Sequence, residues 1–222
     1  MNNKHQVHNL IILDESGSMD SIQEMIMQGF NEIVQTIKGI EQQFPEQEHF
    51  ISMVSFNGLG QKMIHFIDPV SKLEFIDNTK YKPDASTPLY DAMGFACNKL
   101  RQITEEVKDC NVLVTILTDG EENASKEFTG ITIKKMVEEL KLNRWTFTYI
   151  GADHDVEEFA GSIGISNFIK FEKNKSAISK LFATEKHSRI FYSEKIRNNE
   201  NTSDDFYKTE DPSTGNIQEQ KE

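Results

Sequence analysis

Three short segments of this chain carry small oxygen-bearing side chains at spacings that suit a hard metal ion. The first is Asp14-Glu15-Ser16-Gly17-Ser18, in which Asp14, Ser16 and Ser18 stand two residues apart. In an extended turn that spacing sends three short side chains into one crevice, and Gly17 lets the backbone bend around the point they share. The second segment holds Thr87, before Pro88, and the third holds Asp119, in Leu117-Thr118-Asp119-Gly120-Glu121. Two carboxylates and three hydroxyls make a donor set without nitrogen or sulfur. Such a set selects Mg²⁺, Ca²⁺ or Mn²⁺ over zinc or copper. Five small groups cannot all reach one small octahedral ion, so some act through water and one position stays open. Two carboxylates do little more than cancel a +2 ion, which keeps it electrophilic, and nearby helix N-termini favour an incoming anion. An Asp or Glu side chain of another protein is the natural last ligand.

Each piece also has an ordinary reading. Ser16 and Ser18 are common turn residues. Thr87 before Pro88 resembles a plain helix N-cap with proline in the first helical position. Asp119-Gly120 is a common turn dipeptide. The ordinary readings lose ground only because the pieces occur together. Glu15, Asp20, Glu121 and Glu122 read as solvated rim charges, and His154 as ordinary loop polarity. The 6 histidines show no paired spacing for zinc.

The elements that must position these residues follow from hydrophobic periodicity. Val7–Leu13 reads as a buried strand ending at Asp14. Ile22, Ile26, Phe30, Ile33, Ile37 and Ile40, three and four apart, mark a helix over Ser21–Ile40, with Ser21 and Glu24 as a capping box. His49–Phe56 and Lys62–Ile67 flank the turn signal Asn57-Gly58-Leu59-Gly60 and read as a hairpin. Thr87-Pro88 opens a second helix, striped by Leu89, Met93, Ala96, Leu100, Ile103 and Val107. Asn111–Thr118 is nearly all apolar or β-branched, as a strand buried on both faces would be. A helix over Ile131–Leu142, a strand at Trp145–Ile150, a short helix near Asp155–Ser162, a strand at Asn167–Phe171 and a helix near Ser176–Tyr192 complete the series. This alternation predicts an α/β fold: a doubly wound, mostly parallel, Rossmann-like sheet of about six strands with one antiparallel edge strand and helices on both faces. The metal-binding segments then share one face, at the carboxyl ends of the strands.

Bulk properties narrow the function. The 222 residues suffice for one domain with a sizeable core. With 24 basic and 36 acidic residues the net charge is −12. That charge disfavours nucleic acid and anionic membrane surfaces, which want Lys and Arg. No apolar run near the start is long enough to span a membrane. Two cysteines, Cys97 and Cys110, without metal-ligand spacing read as free, buried thiols in a reducing compartment, the cytoplasm. Residues 1–192 form the expected domain. Residues 193–222, rich in Asn, Ser, Thr, Asp, Glu and Gln, read as a flexible acidic tail.

In Asp14, Ser16, Ser18, Thr87 and Asp119 the chain resembles the von Willebrand factor A (vWA) family, whose metal-ion-dependent adhesion site uses Asp-x-Ser-x-Ser, a distant Thr and a later Asp. Ser-Thr-Pro-Leu-Tyr-Asp-Ala at 86–92 and Thr-Asp-Gly-Glu at 118–121 fit the family's contexts for the last two. The resemblance covers about residues 5 to 190 and is strongest to small stand-alone members from bacteria and phages. It implies a non-enzymatic, Mg²⁺-dependent protein-binding module, an adaptor or regulator that works in some cases beside AAA+ ATPases. The alternatives are a metal-dependent hydrolase or phosphotransferase, and a structural component of a larger particle. Against catalysis, no His or Lys stands at a spacing that marks it as base to Ser16, and the chain has neither a nucleophile elbow nor a phosphate-cradling Gly-Lys loop.

Overall fold

The computed structural model describes residues 4–107 and 109–208. Strand β1 (His5–Asp14) passes through a 3₁₀ turn (Gly17–Ile22) into α1 (Gln23–Gln43). β2 (Gln47–Asn57) and β3 (Gly60–Pro69) form the hairpin. Then come α2 (Leu89–Thr104), β4 (Cys110–Thr118), α3 (Gly130–Lys141), β5 (Trp145–Gly151), α4 (Val156–Ser162), β6 (Asn167–Lys170) and α5 (Lys175–Arg197). The sheet order is β3-β2-β1-β4-β5-β6. Among the described residues only β2 and β3 pair antiparallel. This is the doubly wound sheet expected, with β3 as its antiparallel edge.

The topology decides where a ligand can bind. The chain runs outward from β1 to β3, then returns to β4 on the other side of β1. Strand order therefore reverses between β1 and β4, where such sheets leave a crevice at their carboxyl ends. Leu13 pairs with Leu117 in register, so Asp14 and Thr118 are the next residues of the two strands and Asp119 follows at once.

Alternation along β1 builds both cores. Leu10 and Ile12 join the cluster under α2, α3 and α4, while Ile11 and Leu13 join the one under α1 and α5. α1 and α5 approach closely at Gly29: a Cβ there would lie 1.8 Å from the Phe182 ring. The capping box at Ser21 does not form. The 3₁₀ turn carries the chain away from β1 and buries Met19 and Ile22, so α1 starts only at Gln23 and the Ser21 hydroxyl donates back to the Ser18 carbonyl at 3.4 Å. Both cysteines are free, Cys97 buried and Cys110 half-buried. Among the described residues no helix is long and apolar enough to cross a membrane.

The boundary expected at 192 is corrected. α5 continues to Arg197, and residues 198–208 run back over the starting ends of β4, β5 and β6. Thr146 Oγ1 donates to the Thr202 carbonyl (3.0 Å) and Asn111 Nδ2 to Thr202 Oγ1 (3.1 Å). Asn167 donates to the Ser203 carbonyl (2.9 Å) and accepts from the Phe206 amide (3.0 Å). Phe206 is buried with Val7, Leu113 and Tyr192. Composition misleads here because one phenylalanine and two buried asparagines, Asn111 and Asn167, tie down an otherwise polar stretch. The rest of the expected tail, 209–222, lies outside the described residues. Phe206→Ala should cost about 2–4 kcal/mol in urea unfolding, by loss of a buried aromatic ring. Ending the chain after Arg197 should cost at least as much. A loss below about 1 kcal/mol would show that the segment does not stabilise the domain.

Candidate metal centre

Asp14 closes β1 and is fully buried. Its Oδ1 accepts from the Ser16 amide (2.7 Å) and its Oδ2 from the Thr118 hydroxyl (2.6 Å). The Asp14 carbonyl accepts from the buried Tyr81 hydroxyl at 2.7 Å, which fixes the strand end. Burial pushes the Asp14 carboxyl up to about 6, and the neighbouring charge of Asp119 adds to the rise, while hydrogen bonds from Thr118 and Ser16 oppose it.

The next turn delivers the two serines. Its bend is held by the Gly17 amide, which donates to the Ala85 carbonyl (3.0 Å), and by the buried Met19. Ser16 Oγ and Ser18 Oγ lie 3.2 Å apart, and Ser18 Oγ donates to Asp119 Oδ1 at 2.6 Å. Thr87 arrives from the opposite side. Its amide donates to Asn123 Oδ1 (2.9 Å) and its carbonyl accepts from the Asn123 amide (3.1 Å). A Cβ on Gly120 would lie 3.8 Å from Thr87 Oγ1 and 3.9 Å from Ser18 Oγ, so both hydroxyls converge over that glycine. All five expected residues thus meet at the mouth between β1 and β4. Thr87 is not the helix cap. Pro88 takes that place, and the first amides of α2 donate instead to Glu122 Oε2 (from Tyr90, 2.9 Å) and Ser125 Oγ (from Asp91, 3.0 Å).

Several neighbours differ from their expected roles. Glu15 is no rim charge: it is 1% exposed and accepts from Ser55 Oγ (2.7 Å), Lys62 Nζ (2.9 Å) and the Lys82 amide (2.6 Å), joining three segments behind the site. Glu122 is half-buried and also accepts from the amides of Ala124 (2.8 Å) and Ser125 (2.7 Å). Asp91 accepts from the amides of Lys126, Glu127 and Phe128, which ties the loop after Asp119 to α2. Asp20 and Glu121 are exposed, as expected. His154 is buried against Tyr149 and Phe159, with Nε2 3.1 Å from the Tyr149 hydroxyl.

The residue that sequence reading missed is Lys173. Its ammonium lies 2.6 Å from Asp119 Oδ2 and 2.6 Å from Asp153 Oδ2. Burial works against its charge, but its bonds to the two aspartates prevail and its pKa is raised. No spacing marks it, because it reaches the site from the loop after the last strand, 54 positions beyond Asp119.

The donor chemistry fits a hard cation. Two carboxylates, each about 1% exposed or less, and three hydroxyls converge, a donor set of oxygen alone among the described residues that meet there. Asp14 prefers to be protonated up to about 6, and a cation alongside would reverse that preference.

A carboxyl whose pKa rises on folding holds its proton more tightly in the folded state. Its stabilising contribution is present below the unfolded value near 3.8 and is lost as pH climbs through about 6. In chelator, Asp14→Asn should therefore match the wild type near pH 4 and exceed it by about 1–3 kcal/mol at pH 7. Asparagine can still accept from Ser16, and Thr118 can turn its proton to the Gly120 carbonyl, already 3.1 Å away. Urea unfolding at the two pH values measures this; a pH-independent difference would refute the assignment.

The sequence matches the von Willebrand factor type A domain over residues 10–204. No curated protein matches it by sequence. Solved structures share the fold at low identity. The SpRpn10 VWA domain aligns with TM-score 0.53 at 10% identity, over 80% of this chain and 94% of that one. The vWF domain of the type V pili tip protein Mfa5 from Porphyromonas gingivalis aligns with 0.55 at 11%, over 82% and 95%. The manganese-loaded TRAP protein of Plasmodium vivax aligns with 0.51 at 14%, over 80% and 73%. The family match spans both carboxylates, both serines and the threonine at the strand-order reversal, and by it this chain belongs to the von Willebrand factor type A domain family.

Proposed function

We propose that this domain is a metal-dependent protein-binding module that grips a partner's Asp or Glu through one divalent ion, Mg²⁺ by preference and Mn²⁺ or Ca²⁺ in its place. The observation that carries the reading is the convergence of Asp14, Ser16, Ser18, Thr87 and Asp119 on one point at the end of β1. Asp14 and Asp119 supply the charge, and the three hydroxyls orient without adding any. The ion, when bound, supplies an electrophilic position for an incoming carboxylate. The reading is supported by a protein of this fold, the Plasmodium vivax TRAP protein, whose crystal structure is manganese-loaded. An adaptor or regulator beside an AAA+ ATPase is the setting the family resemblance suggests.

Binding is favoured over hydrolysis by the hydroxyls' partners. Ser16 meets Ser18, and Ser18 donates to Asp119. Among the described residues neither hydroxyl meets a histidine or lysine nitrogen, and Lys173 is committed to two carboxylates. A serine nucleophile needs a base within hydrogen-bond reach.

Calorimetric titration of chelator-treated protein should show one Mg²⁺ or Mn²⁺ site per chain. Asp14→Ala should abolish it, and Thr87→Ala should weaken it about tenfold with the fold intact. A partner retained by the wild-type domain should be lost in EDTA and in Thr87→Ala, and should depend on a single Asp or Glu of its own. Equal retention with and without EDTA would overturn the grip. Unchanged metal binding in Asp14→Ala would overturn the site.

A further inference from the structure

Among the described residues Lys173 is the one cation that touches the proposed ligands, and the proposed metal binding does not require it. It stands in the short Phe171–Asn174 connection between two anchored elements. Before it, Phe171 is buried and its amide donates to the Gly151 carbonyl at 2.9 Å. After it, the Asn174 side chain caps α5 by accepting from the Ala177 amide at 2.9 Å. The loop is thus held at both ends, and the lysine side chain, 22% exposed, reaches in to Asp119, whose side chain has no exposure at all. In such surroundings one ammonium counts heavily, because water screens it little. It neutralises half the charge that the two buried aspartates would offer an incoming cation.

The second contact gives the lysine somewhere else to go. Asp153 Oδ2 lies at the same 2.6 Å, but the Asp153 side chain is 60% exposed and stands two residues past the end of β5, with φ 57°. The ammonium is shared between a buried carboxylate that faces the metal ligands and an exposed one that faces water.

We propose that Lys173 is a tethered counter-cation that competes with the divalent ion for Asp119, so that the chain itself sets the metal affinity of the site, with Asp153 as the lysine's alternative partner. The inference rests on the metal reading of Asp14, Ser16, Ser18, Thr87 and Asp119. Metal entry brings a +2 ion toward an ammonium already bound to the same carboxylate. The repulsion weakens the ion, and a shift of the lysine toward Asp153 relieves it.

The test is Mn²⁺ titration of the chelator-treated full chain, read by calorimetry and by the loss of the free-ion electron paramagnetic signal. Lys173→Met keeps the aliphatic stem and removes the charge; it should bind Mn²⁺ on the order of tenfold more tightly than wild type. Asp153→Asn should act in the opposite sense, about two- to threefold weaker, because the lysine then rests on Asp119 alone. Asparagine tolerates the positive φ at that position. The double variant should match Lys173→Met, since Asp153 acts only through the lysine. A melting curve in chelator confirms that each variant is folded. If Lys173 merely braces the loop, Lys173→Met would bind Mn²⁺ equally or less tightly than a wild type that does bind, and the proposal would fail while the metal site stood. If neither wild type nor Lys173→Met binds Mn²⁺, the metal reading falls and this inference with it. Binding by Lys173→Met alone would support both, with the lysine as the dominant barrier.

Discussion

Two carboxylates held out of water at neighbouring strand ends organise the whole carboxyl face of this sheet. An unpaired buried carboxylate costs several kcal/mol, so each must be met by donors or positive charge. Asp14 is met by the Ser16 amide and the Thr118 hydroxyl, and Asp119 by the Ser18 hydroxyl and Lys173. Those donors come from the loop after β1, the end of β4 and the loop after β6. Satisfying two charges therefore fixes three otherwise independent loops. Glu15 does the same one residue further on, drawing in β2 through Ser55, β3 through Lys62 and the stretch before α2 through the Lys82 amide. Thr87 has no charge with which to organise its surroundings. It is placed instead by two backbone bonds to Asn123, in a loop that Asp91 and Glu122 stitch to α2.

A second buried pair fixes α5. Arg189 and Glu185 are both almost fully buried and bonded at 2.9 Å, one turn apart on the helix. The guanidinium also donates to Asn9 Oδ1 (3.1 Å) on β1 and to Thr115 Oγ1 (2.6 Å) on β4, while the Tyr207 hydroxyl meets Glu185. Apolar contacts alone would leave the rotation of a helix on a sheet loosely specified. A guanidinium with three fixed acceptors does not, because removing one partner of a buried pair is far costlier than a small loss of apolar contact. Lys173 lies two residues before α5, so the register that Arg189 imposes on the helix also fixes where the lysine begins.

The parts that sequence reading recovered share one property: they are set by local periodicity or by short spacing. The stripe from Ile26 to Ile40, the apolar run Asn111–Thr118 and the Asn57–Gly60 turn predict α1, β4 and the hairpin, and their alternation predicts the mostly parallel, doubly wound sheet, though not its strand order. The Asp-x-Ser-x-Ser element is legible because its three donors sit in one loop, and Thr87 and Asp119 become legible beside it. What escaped notice depends on contacts distant in sequence. Lys173 is indistinguishable from any surface lysine until β6 places it across the mouth of β4. Glu15 reads as a rim charge because nothing near it announces Lys62, 47 positions away. The segment 193–208 reads as tail because its average polarity hides Phe206, and because the asparagines that hold it, Asn111 and Asn167, lie far away in sequence on β4 and β6.

The burial that suits the site to a cation also disfavours the charged form of Asp14. Asp14, with its carboxyl pushed up to about 6, is a liability at neutral pH that asparagine would remove. A chain selected for folding alone would not retain two adjacent buried aspartates at a strand-order reversal. It would also not spend a lysine from a distant loop on one of them. The arrangement makes physical sense if folding and ligation are coupled. On the proposed metal-binding function, a cation that relieved the buried Asp14 carboxylate would bind only the folded state, and its binding free energy would add to the stability of the fold. The site needs a rigid surround for this to work, since a flexible one would relax by admitting water to Asp14 and Asp119. The clamps at Glu15, Asp91 and Glu122 hold the loops around the site, and Arg189 fixes α5 on the sheet beneath it.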